Sequence, residues 1–167
     1  MSEKIFVIVV ASLVIVFGAG YSINKTKKEE VPSSAQTATT PPSTAGKSID
    51  LSGQQLTTIP ESILSQTNIT SLNLSNNQLT TLPAGIERLT NLEVLNVENN
   101  RLESLPSEIG QLKKLKSADF SNNRLMSLPQ ELGALTQLES LNLDGYKGPS
   151  SDTTQLKSKL PNTSIEP

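Results

Sequence analysis

Two places in this 167-residue chain carry residue types that could do chemistry. The first is Gly46-Lys47-Ser48, which ends like a phosphate-binding loop, where backbone N–H groups and a lysine cradle a nucleotide. Such a loop needs glycine five positions before Gly46. Pro41 stands there and no apolar strand leads into it, so the nucleotide reading fails. The second is a spaced set of carboxylates, Asp50, Glu98, Asp119 and Asp144, each close to serines or asparagines. Acids in that setting attract cationic groups. A metal site at Glu98 and Asp119 is the weaker reading, because such acids often stay hydrated. Histidine and cysteine are both absent, which removes the commonest general base and metal ligand, the thiolate nucleophile and every disulfide. An enzyme would need a carboxylate, serine or lysine in a pocket, and the sequence builds none. No catalytic residue, cofactor or metal is expected. Fourteen Lys and Arg against 16 Asp and Glu give a net charge of −2, which speaks against nucleic acid as a partner.

The acids are positioned by repetition. "LNLSNNQLTTLP" begins at Leu72, "LNVENNRLESLP" at Leu95 and "ADFSNNRLMSLP" at Ala118, so Asn77, Asn100 and Asn123 fall 23 residues apart. Turns aligned on that period begin at Gly46, Ile69, Leu92, Leu115 and Leu138. A fixed period of this size predicts a solenoid, in which no turn buries its apolar face alone. The alternating pairs Leu72/Leu74, Leu95/Val97, Ala118/Phe120 and Leu141/Leu143 predict short strands with one face in the core. Ala118 beside Phe120 reads as an exchange of small for large within one core layer. Ile86/Leu89 and Ile109/Leu112 have helical spacing on the opposite side, after a proline suited to a first helical position. Glu108 and Glu131 then sit near the positive end of that turn. Asn77, Asn100 and Asn123 are expected inside, where an amide satisfies backbone groups that lack sheet partners. Their neighbours Asn76, Asn99 and Asn122 are expected to face outward.

The shared pattern LxxLxLxxNxLxxLPxxIxxLxx resembles the leucine-rich repeat family, in its 23-residue Leu-Pro class of Ras-group and bacterial proteins. It differs from internalin-type repeats in period and in carrying Leu-Pro, and secreted ubiquitin-ligase repeats differ in period and need a cysteine. The resemblance implies an α/β solenoid, with short parallel strands on a concave side and short helical turns on a convex side. It also implies that the concave face binds a protein. The positions facing that way include Asn73, Asn96, Glu98, Asp119, Asn142 and Asp144, with Arg101, Arg124 and Lys147 along the rim. Their acids favour a basic partner. They include no tryptophan, tyrosine or arginine within the face, the usual anchors of an interface, so a structural spacer without a specific ligand stays open beside the binding module.

The ends differ from the repeats. After a four-residue tail (1–4), residues 5–23 form a run of 19 without charge, "IFVIVVASLVIVFGAGYSI". As a helix this run spans about 28 Å, enough to cross a membrane. An uncleaved single-pass anchor is preferred to a signal peptide, since the start "MSEK" and the site Gly18-Ala19-Gly20 fit cleavage poorly. No cysteine follows, which excludes a lipoprotein anchor. Residues 24–46 are rich in Ser, Thr, Pro and charge and read as a disordered spacer. The repeats occupy 47–151, with Gln54 where the first inward Asn should stand, and 152–167 is expected to cap them with a helix and a strand at Ile165. Lys25, Lys27 and Lys28 favour cytoplasmic repeats. The stalk-like spacer and the short amino terminus favour an extracytoplasmic location, which is the preferred reading.

Overall fold

In a computed structural model the protein divides into two units, Met1–Thr40 and Pro41–Pro167. The structure describes residues 46–167 and, of what precedes them, only the backbone of β1 (Val7–Val10) and β2 (Leu13–Val16). Those two strands pair antiparallel, with Val7 opposite Val16 and Val10 opposite Leu13. They differ from the helix expected over 5–23. The run is dominated by β-branched valine and isoleucine, whose stiff χ1 suits a pleat. The rest of that run and the 24–45 spacer lie outside the described residues. Among the described residues no helix is long and apolar enough to cross a membrane.

The second unit is a solenoid built on a six-stranded parallel sheet in sequence order: β3 (Lys47–Asp50), β4 (Ile69–Asn73), β5 (Val94–Asn96), β6 (Ser117–Asp119), β7 (Ser140–Asn142) and β8 (Ser164–Glu166). Each turn contributes the same apolar set to one continuous core. Leu72, Leu95, Ala118 and Leu141 align in register and are buried. The opposite side is made by the four-residue helix α1 (Glu61–Leu64) and by 3-10 turns at Ala84–Arg88, Ser107–Gln111 and Gln130–Ala134. Pro60, Pro83, Pro106 and Pro129 stand one residue before these turns, with ψ between 135 and 151°, rather than inside them. Proline holds its own φ and keeps the residue before it extended, so it ends the straight run along the flank. Its carbonyl then accepts the first bond of the turn, as from the Ile86 and Ile109 N–H groups at 3.0 and 3.2 Å. Gly110 marks a close approach between turns, since a Cβ there would lie 2.7 Å from the Glu131 carbonyl oxygen.

Consecutive turns are joined by the buried asparagines. Asn100 Oδ1 accepts the Leu79 N–H of the turn before at 3.0 Å. Its Nδ2 donates back to Leu74 O and, within its own turn, to Val97 O, each at 3.0 Å. Asn77 and Asn123 repeat this pattern on Leu56, Leu51 and Leu74, and on Leu102, Val97 and Phe120. No buried side-chain nitrogen or oxygen among the described residues lacks a partner. The preceding residues, Asn76, Asn99 and Asn122, are exposed but have φ of 58, 54 and 54°, in the left-handed region. Gly53 and Gly145, at the same register in the first and last turns, have φ of 66 and 83°. That column needs a residue tolerant of left-handed backbone, which asparagine and glycine are.

The last turn closes differently. Tyr146 occupies the register of the inward asparagines, and its hydroxyl donates to Asp152 Oδ2 at 2.6 Å. Asp152 lies in the first turn of α2 (Ser150–Lys159) and also accepts the Leu128 N–H at 3.3 Å. Leu156, Leu160 and Ile165 complete the core at this end. The Tyr146 hydrogen bond holds the Asp152 carboxyl below its ordinary range. Burial, then the same bond, raises the Tyr146 hydroxyl.

Asn100→Leu orphans backbone groups in the central turn and is expected to cost about 1–3 kcal/mol. Asn99→Leu, though exposed, should cost about 1–2 kcal/mol because it forces a branched side chain into left-handed backbone, whereas Asn99→Gly should be near neutral. Urea unfolding of the three variants checks this order. For Asp152, a folded pKa below the unfolded one contributes stability that is present above the unfolded value and is lost as pH falls through the folded one. Between about pH 6 and about pH 2, Asp152→Asn should therefore lose less of its urea midpoint than the unaltered protein does.

Candidate binding face

On the outer side of the sheet the strands align three columns of side chains. The middle column runs Asp50, Asn73, Asn96, Asp119, Asn142 and Glu166. In its first five members a side-chain oxygen accepts the N–H two residues on, from Ser52, Ser75, Glu98, Ser121 and Asp144, at 2.9 to 3.0 Å. This is the Asx turn, and here it bends the chain out of each strand. Asn73, Asn96, Asp119 and Asn142, expected as binding residues, therefore also shape the backbone. Asp119 is the most engaged, since it additionally accepts the Ser121 hydroxyl at 2.6 Å and Asn142 Nδ2 at 3.2 Å. The Ser52 N–H, first among its contacts, lowers the exposed Asp50 carboxyl.

The flanking columns are freer. One runs Ser48, Ser71, Val94, Ser117, Ser140 and Ser164, with Val94 42 % exposed as the apolar exception. The other runs Ser52, Ser75, Glu98, Ser121 and Asp144, in which Ser75 and Ser121 are buried. Glu98 keeps one contact, its Oε1 accepting Asn99 Nδ2 at 3.0 Å, and Asp144 is exposed. The three columns hold five carboxylates, Asp50, Glu98, Asp119, Asp144 and Glu166, and no lysine or arginine. Glu166 joins them because β8 pairs with β7, which a tail read as a cap alone does not reveal. The Asx turns had a legible signal, an Asp or Asn at 50, 73, 96, 119 and 142.

Arg101 and Arg124 are not brought into these columns. They lie past the left-handed residues, where the chain has turned away from the sheet. Among the described residues no group of three or more acids could hold a metal ion.

These features agree with what known proteins show. A family model described as a leucine-rich repeat region matches residues 48–162. Among solved structures, a leucine-rich repeat protein of Leptospira interrogans is 39% identical, with a TM-score of 0.65 over 67% of this chain and 29% of its own. An internalin of Listeria monocytogenes is 25% identical, with a TM-score of 0.54 over 65% of this chain and 31% of its own. The chain thus spans about three-tenths of the length of each. No curated protein matches. With the repeating core, the asparagine ladder and the matching model over 48–162 in agreement, the chain belongs to the leucine-rich repeat family.

Proposed function

We propose that the repeats are a binding module that takes a basic protein on the outer side of the sheet, tethered at a membrane by residues 5–23 through the spacer. The fold itself suggests protein interaction. The observation that carries the basic partner is charge of one sign: five carboxylates and no cation across three columns. A partner bearing lysines or arginines meets complementary potential there, which favours encounter and rejects acidic competitors. The tether rests on the length and lack of charge of residues 5–23, and the stalk-like spacer supports extracytoplasmic repeats. Arg101 and Arg124 carry the same sign as such a partner, so they are not assigned to this face.

The spacer reading keeps one observation in its favour. Five of the six middle-column residues spend an oxygen on their own backbone, and the face lacks the aromatic and arginine anchors of most interfaces. Glu98 and Asp144 separate the two readings, because neither makes an Asx turn. Affinity capture from a membrane extract with the full chain should recover a basic protein. Glu98→Lys with Asp144→Lys should abolish its capture while leaving the urea midpoint unchanged. Equal capture by this variant removes the acidic face as the binding site, and recovery of no specific protein favours the spacer.

A further inference from the structure

Arg101, Arg124 and Lys147 form a second charged row, separate from the acidic face. They share one register, on three consecutive turns. Their backbone is fixed, since each N–H donates to the turn before: Arg101 to Leu79 O, Arg124 to Leu102 O and Lys147 to Leu125 O, at 2.9, 2.9 and 3.0 Å. Successive turns are therefore about one strand spacing apart, roughly 4.8 Å, and the three side chains leave the flank like teeth of a comb. All three residues are exposed. Two ion pairs occur among the described residues, Arg88–Glu61 and Lys116–Glu93, and neither uses this row. Met126, two residues past Arg124, is 60 % exposed beside it, and the exposed Glu103 holds the same register on the turn before, its carbonyl accepting the Met126 N–H at 3.3 Å.

We propose that this flank docks on an anionic lipid surface. An exposed row of cations beside an exposed methionine suits a plane of phosphate headgroups over hydrocarbon. Near such a surface each cation is worth roughly fivefold in affinity, so three set against Glu103 give roughly twenty-five-fold. This gain is too small to recruit a free protein, because stable anchoring takes a second signal. It suffices for a domain already confined, and that part of the argument rests on the proposed tether. A Ser-, Thr- and Pro-rich spacer of this length is expected to hold the repeats at about millimolar effective concentration. Docked on the flank, the domain keeps its acidic face clear of the lipid.

The test holds the full-length chain on vesicles through an added amino-terminal hexahistidine tag and a nickel-chelating lipid, so confinement does not depend on residues 5–23. The chain has no cysteine, so Ser127→Cys on the flank and Ser140→Cys on the acidic face each carry one polarity-sensitive fluorophore. On vesicles containing phosphatidylglycerol, the fluorophore at 127 should shift to the blue and be quenched by headgroup-labelled lipid, and the one at 140 should not. On phosphatidylcholine alone, in about 0.5 M salt, or with Arg101→Gln, Arg124→Gln and Lys147→Gln together, the response should be lost. No response on anionic vesicles overturns the proposal, as does an equal response on neutral ones or in the triple variant. A response to soluble polyphosphate but not to anionic vesicles overturns it in favour of a linear polyanion. Flotation of the untagged chain with neutral vesicles reads the tether separately, and failure there leaves the flank result standing.

Discussion

The inward asparagine is the bond on which the solenoid depends. A turn of 23 residues cannot enclose its own leucines, so its stability comes from the neighbour it stacks on. Where the chain leaves each strand, backbone groups point into the core without sheet partners. The carboxamide of Asn100 meets both needs, accepting Leu79 N–H and donating to Leu74 O of the turn before and Val97 O of its own. Aspartate is nearly isosteric but has no donor, and its charge would be buried. A hydroxyl is too short and offers one donor. The same constraint reaches the residue before: to turn the amide inward, the chain passes through left-handed backbone at Asn76, Asn99 and Asn122.

The two ends show what happens when the ladder has nothing to join. In the first turn no asparagine stands at 54; Gln54 is exposed, and the ladder begins at Asn77, which reaches back to Leu51 and Leu56 as the later asparagines reach back to their own preceding turns. In the last turn Tyr146 turns its hydroxyl away from the stack, toward Asp152 of the capping helix. The interior links are amides, indifferent to pH. In this register the closing link uses a carboxylate in place of an amide.

Much of this was legible in the sequence. The LxL pairs, the inward asparagines and the capping tail follow from period and alternation, because a buried side chain answers to one geometry. Outward residues were harder to read. Asn99 looks like ordinary exposed polarity, and only the glycines at 53 and 145 in its register betray a backbone demand. Asn96 and Asp119 read as binding groups because an Asx turn and a ligand contact ask for the same side chain. The valine-rich run of 5–23 has a length suited to a membrane helix and β-branching suited to strands, and hydropathy alone does not choose between them.

Periodicity also explains how a small chain can carry more than one surface. Once the inward rows are fixed, each outward row can vary as a unit, since a residue type repeated every 23 positions becomes a line of identical groups about 4.8 Å apart. Five acids lie in the columns of the sheet, and Arg101, Arg124 and Lys147 form a row beyond the left-handed turn. The backbone bend that the buried asparagine requires is therefore also what sets Arg101 off the column of Glu98. Glu98 and Arg101 are three residues apart, with Asn99 and Asn100 between them. The residues that hold the turns together thus separate the acidic columns of the sheet from the cationic row beyond it.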